Sequence, residues 1–106
     1  MIYAALATTK ELQATEYAKM IEDVLNERGK RYGKFKDHAY IAQGFKLIMI
    51  QQDGWNRLAD DQKEALEMIM HKVARILNGD PNYADSWVDI AGYAKLVADR
   101  LEGIER

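Results

Sequence analysis

Apolar positions along this chain recur every three to four residues, and the two-residue alternation of half-buried strands is scarce. The pattern predicts four helices separated by short, glycine-marked breaks. The first is expected over 9–28, with Leu12, Tyr17, Met20, Ile21, Val24 and Leu25 as its apolar stripe. Thr8 and Glu11 have capping-box spacing at its start, and Gly29 offers a stop. The second is expected over 36–51. Ala42, Phe45, Ile48 and Met49 form its main face with Ile41 beside it, and Tyr40, Leu47 and Ile50 widen it. A face that broad predicts burial between helices or at a subunit contact. The third should begin at Asp60-Asp61 and end at Asn78-Gly79, with Leu66, Ile69, Val73, Ile76 and Leu77 inward. The fourth should begin between Pro81 and Ala84, with Asp80-Pro81 as N-cap and first turn. It should end near Leu101 and bury Trp87, Ile90, Ala94, Val97 and Leu101, with Gly92 permitting a close helix crossing.

Four helices with short connections predict an all-α bundle. With 106 residues and 12.2 kDa the chain is read as one domain, residues 1–106, with 1–8 as a candidate N-terminal arm. A bundle this thin is expected to be completed by oligomerisation, as a homodimer or higher homo-oligomer. Composition then narrows the chemistry. No cysteine is present, which excludes disulfides, thiolate metal sites and a cysteine nucleophile. A formal charge of −2 gives no electrostatic case for general nucleic-acid binding. No apolar run reaches bilayer length, and the opening residues, lacking a basic leader and a sustained apolar region, are not expected to act as a secretory signal. These features predict a soluble protein of a reducing cytoplasm, with no membrane partner.

The arrangement of charge is more informative than its total. Glu64, Glu67 and His71 follow helical spacing on the third helix, with Lys72 and Arg75 beside them. Asp85 and Asp89 share one face of the fourth helix, and Tyr93 continues it. A short connection should make these two helices antiparallel neighbours. Four carboxylates, Glu64, Glu67, Asp85 and Asp89, could then hold Mg²⁺, with Mn²⁺ as its substitute, against a phosphate gripped by Lys72 or Arg75. The alternative is structural: solvated charges at the helix start, and aspartates bridging to Lys72 and Arg75. His71 is read either as an acid–base group or as a core-edge residue satisfied by Asp89, and His38 as a cleft or structural residue. The segment 28–36 concentrates five positive charges with two aromatics. This patch, which includes Arg28 and Tyr32, could contact a nucleotide by stacking and phosphate pairing, or form a solvated turn. Of the two tryptophans, Trp55 is expected to be the more exposed. Ser86 stands without triad partners.

Several of these residues also carry a resemblance. Arg28-Gly29, Tyr32-Gly33, Phe35 and His38, then His71-Lys72-x-x-Arg75, then the run from Asp85 to Tyr93 ending Asp-Ile-Ala-Gly-Tyr, resemble a small phage-associated family of unknown function. That family in turn resembles the all-α MazG-like nucleotide pyrophosphohydrolases, over residues 17–101. The resemblance implies a four-helix MazG-like bundle, a nucleoside triphosphate ligand, and Mg²⁺-dependent release of pyrophosphate if the chain is active. The catalytic positions would be Glu64, Glu67 and Asp89. Substrate would lie on Lys72, Arg75, His71, Tyr93, Arg28, Tyr32 and His38. The chain departs from the MazG motifs at Lys63, where a first glutamate would stand, and at Ser86, where a second motif has glutamate. The competing expectation is a noncatalytic oligomeric phage protein that binds a host or phage protein in the host cytoplasm.

Overall fold

A computed structural model describes residues 8–106; the N-terminal arm expected over 1–8 lies outside them except for Thr8. Helix α1 spans Thr9–Tyr32, α2 Phe35–Ile50, α3 Asp60–Asn78 and α4 Ala84–Leu101. A short 3₁₀ helix, Asp53–Arg57, lies between α2 and α3 and has no counterpart in the periodicity reading. The chain is an all-α four-helix bundle in which α3 is the hub, packed on α4 along one side and on α2 along the other.

The ends of the helices follow from local chemistry. Thr8 Oγ1 accepts from the Glu11 N–H at 3.1 Å, and Glu11 Oε2 accepts from the Thr8 N–H at 3.0 Å, completing the expected capping box. At α1's other end the expected stop at Gly29 does not occur. Gly29 stays helical and α1 runs to Tyr32, ending where Gly33 takes φ 75° and donates its N–H to the Gly29 carbonyl. Glycine between two good helix formers costs about 1 kcal/mol, too little to break a helix whose next turn is anchored elsewhere. The start of α4 also differs from expectation. Asp80 accepts the Asn82 N–H at 2.9 Å in a local turn, so Pro81 precedes the helix and Tyr83 takes the N-cap position without a side-chain cap.

A junction between α1 and α3 fixes the cleft described below. The Asn78 amide donates to the Tyr32 carbonyl at 2.8 Å and the Lys34 carbonyl at 3.0 Å, and the Asp80 N–H donates to the Arg31 carbonyl at 2.6 Å. The two segments approach so closely that both contact glycines are required. A Cβ on Gly33 would strike the Asn78 backbone and amide, and one on Gly79 would strike the backbone of Arg31 and Tyr32. By contrast, a Cβ on Gly92 would meet nothing within 4 Å, so the close crossing expected there is not made.

The core is thin. Among the described residues, its buried apolar members are Ala42, Ala65 and Ala74, joined by buried His38, Lys72, Ser86 and Asp99. The expected stripes are covered only in part: Ala42 is buried and Phe45, Met49, Ile69, Val73 and Ile76 are half-buried. Ile48 and Leu47 on α2, Leu77 on α3, and Trp87 and Leu101 on α4 are all more than half exposed, and α1 buries no residue. Trp87, rather than Trp55, is the more open tryptophan; its Nε1–H donates to the Pro81 carbonyl at 2.8 Å.

Candidate functional site

Where α1 ends, α2 begins and α3 passes beneath them, the chain encloses a cavity of about 440 Å³. Leu25, Arg28, Gly29 and Tyr32 of α1 form one wall, Gly33 and Lys34 the rim, Phe35 and His38 of α2 a second wall, and His71 and Arg75 of α3 the floor. No carboxylate is among these residues. Arg28, Lys34 and Arg75 make no ion pair among the described residues, so the cavity carries three uncompensated permanent cations. Like charges this close repel one another, and an anion between them relieves that repulsion.

The two histidines meet at the floor. His38 Nε2 and His71 Nδ1 are 3.2 Å apart, with the rings edge to face at 4.5 Å between centroids. One must be donor and the other acceptor, so the contact requires at least one neutral ring. Burial lowers the affinity of both for protons. For His71 that burial, then His38, Arg75, Lys72 and Lys46, bring the pKa to about 4. For His38 burial acts first, followed by Arg75 and Lys72. His38 is 5% exposed, and its Nδ1 has no hydrogen-bond partner. A buried polar atom left unpaired costs about 1–3 kcal/mol, which a ligand at this position can recover.

Aromatic rings give the cavity a second character. The Arg75 guanidinium lies 4.2 Å over the Tyr32 ring, and Phe35 stacks near His38 at 6.1 Å while remaining 79% exposed. Behind them Tyr83 receives the Arg31 guanidinium at 4.1 Å and donates its hydroxyl to Asp85 Oδ2 at 2.9 Å. Tyr32 thus holds Arg75 in place by cation–π attraction without neutralising it.

Of the residues singled out in the sequence, the fold gathers Arg28, Tyr32, His38, His71 and Arg75 at this one cavity. The others are elsewhere. Lys72, its side chain 11% exposed, turns toward α4 and pairs with Asp89 at 3.0 Å. This is the bridge the structural reading expected, and it leaves His71 with His38, not Asp89, as its partner. Asp85 is engaged by Tyr83. Glu64 and Tyr93 line a different groove with Asp61 and Arg100, where Arg100 pairs bidentately with Asp61 at 2.6 and 2.7 Å. Glu67 lines none of the cavities described. Among the described residues no three histidine, cysteine, aspartate or glutamate side chains are grouped so as to hold a metal ion.

Lys34 belongs to the basic segment expected to contact a nucleotide, but sequence reading missed Leu25 as a lining residue and Asn78 as the clamp that positions the α1 end. The Asn78-Gly79 pair was visible as a helix stop, but its long-range partners were not. Asp99 was also missed. It is 6% exposed and held by Lys95 at 3.1 Å and Arg106 at 2.9 Å, which keep its carboxyl below the usual range.

Residues 13–101 match a domain of unknown function (DUF6378), and the chain belongs to that family. No curated protein and no solved structure matches it. No described helix is long and apolar enough to cross a membrane.

Proposed function

We propose that this DUF6378 chain binds a nucleoside phosphate in the cavity between α1, α2 and α3, as a phage-encoded, MazG-like protein of the host cytoplasm. The observation carrying the reading is the carboxylate-free cavity with three unpaired cations, an open aromatic wall and an unpaired buried His38 Nδ1. Arg28, Lys34 and Arg75 donate to phosphate oxygens, and Arg contributes planar, charge-assisted bonds to them. Exposed Phe35 offers a face on which a base stacks. A bound anion favours the protonated imidazole, so His38 Nδ1 gains both a proton and an acceptor on binding.

The MazG likeness adds Mg²⁺-dependent hydrolysis of a nucleoside triphosphate, with Glu64, Glu67, Asp85 and Asp89 on the metal. These carboxylates are not preassembled: Asp89 is held by Lys72, Asp85 by Tyr83, and Glu64 faces another groove. Binding is therefore derived from the side-chain cations alone, and Mg²⁺ enters the proposal as the counter-ion a triphosphate brings with it. The test is calorimetric titration with nucleoside mono- and triphosphates, in EDTA and in Mg²⁺, alongside an assay for released pyrophosphate. Binding in EDTA that falls at least tenfold in Arg75→Gln supports the reading. Absence of binding by any nucleotide at millimolar concentration sinks it. Pyrophosphate release that requires Mg²⁺ would add the hydrolase activity. The second reading, a noncatalytic partner of a host or phage protein, is favoured by the open apolar faces of α1 and α2.

A further inference from the structure

The described chain is far from a closed globule. Its Cα radius of gyration is 19.9 Å. A compact chain of this length has about 13 Å. Its accessible surface is 8454 Å². Folded monomers of this mass expose roughly 6,100 Å². Assigning the seven undescribed residues the full area of an extended chain still leaves an excess of roughly 1,300 Å². That is the area per subunit of an obligate homodimer interface, which buries about 2,000–5,000 Å² in total.

Part of the excess lies on α1, where six large apolar side chains are exposed. This helix of 24 residues is anchored only at its C-terminal end, through the Asn78–Tyr32 and Asp80–Arg31 bonds, and buries none of its side chains. Tyr17, Met20, Ile21 and Val24 lie within one helical sector and are 63%, 53%, 55% and 43% exposed. A run of 24 residues has its midpoint between Met20 and Ile21, and the four central residues of the stripe are placed symmetrically about it, with Leu12 and Leu25, 53% and 59% exposed, flanking them. A stripe with that symmetry is self-complementary under a two-fold axis, which is the requirement of an isologous dimer. Antiparallel pairing sets Tyr17 of one copy opposite Val24 of the other, and Met20 opposite Ile21. Parallel pairing would instead press together two copies of the basic end, Arg28, Lys30 and Arg31, and oppose aligned helix dipoles.

We infer that α1 is a self-association helix, pairing antiparallel with α1 of a second copy of this chain about the Met20–Ile21 midpoint. Light scattering on the intact protein should give twice 12.2 kDa at micromolar concentration. Met20→Lys with Ile21→Lys should return the monomer mass with helical circular dichroism retained. The chain has no cysteine, so introduced thiols report the register cleanly. Gln13→Cys mixed with Arg28→Cys should form an intermolecular disulfide, since the two positions face each other across the axis. Gln13→Cys alone should not, because its two copies would be offset by about 22 Å along the axis. A monomer at every concentration, a dimer indifferent to the lysine pair, or crosslinking by Gln13→Cys alone would each overturn the inference.

Discussion

The His38–His71 contact makes a quantitative prediction about acid stability. Burial and the neighbouring cations keep His71 neutral in the folded chain to about pH 4, whereas in the unfolded chain it takes up a proton near its ordinary value of 6.5. Between those values the unfolded state binds more protons, so folding stability must fall as pH is lowered through 6.5 and level off below the folded value. From pH 8 to pH 5 the linkage amounts to about 2 kcal/mol, reduced to about 1–2 kcal/mol by partial solvent access. His38, shifted in the same direction, deepens the drop. The window is separable from carboxylate titration. Asp61, bonded to Arg100, and Asp99, bonded to Lys95 and Arg106, have lowered values. Their stabilisation is lost only as pH falls from about 3.8 downward. Urea unfolding followed by circular dichroism at fixed protein concentration is the assay. With a slope of about 1–1.5 kcal/mol/M, the wild-type midpoint should fall by about 1 M between pH 8 and pH 5. In His71→Gln most of that fall should vanish. A wild-type midpoint that is flat over this interval, or a variant that tracks it, would refute the neutral histidine pair.

The other predictions concern the scaffold around the cavity. Asn78→Ala removes both carbonyl contacts at the α1–α3 junction and should cost about 1–3 kcal/mol by thermal or urea unfolding. Gly79→Ala forces a methyl group into the Arg31–Tyr32 backbone and should be at least as damaging, with nucleotide binding lost together with the junction. Thr8→Ala breaks the capping box and should reduce far-ultraviolet helicity by fraying α1, for about 1 kcal/mol. Asp89→Asn leaves the buried Lys72 ammonium without its partner and should cost about 1–2 kcal/mol, the half-exposed aspartate moderating the loss. If Asp89 serves only that bridge, nucleotide affinity measured by titration in EDTA should be unchanged in the same variant.

Helix number and class were legible because they depend on local periodicity and punctuation, which four uninterrupted amphipathic segments supply without reference to one another. The capping box was legible for the same reason, its two residues lying three apart. Which positions of each face are covered was legible only in part, as buried Ala42 and half-buried Ile69 and Val73 show. Ile48 and Leu77 fit the inward pattern yet are 60% and 64% exposed, because a stripe shows only that some surface is to be covered, not whether the same chain covers it. The end of α1 was misjudged at Gly29 because the true stop is set across the fold by Asn78 and Gly79. At the cavity, a basic, aromatic segment and two histidines 33 positions apart were visible, but their convergence depends on how α3 crosses below α1. Helical spacing drew attention to the acidic residues of α3 and α4, and the expected resemblance to MazG enzymes gave them a metal-binding role. The fold instead engages Asp85 and Asp89 with Tyr83 and Lys72, and gathers the basic residues.

The cavity and the apolar stripe are not independent, because both belong to the same free-standing helix. Leu25, the last residue of the stripe, lines the cavity, and Arg28 lines it one turn beyond Val24. In an antiparallel pair, the N-terminal half of one α1 lies along this half of the other, bringing Gln13 opposite Arg28. Such pairing would remove water from the outer wall of the cavity and strengthen the charge interactions a bound anion would make inside it. By linkage the reverse must also hold. A phosphate that binds the dimer more tightly than the monomer shifts the population toward the dimer by the same factor. A helix with no buried side chain, tethered at one end by a few backbone and amide bonds, is readily repositioned. If α1 pairs as inferred and a phosphate occupies the cavity, this helix is the element through which the two would exchange free energy.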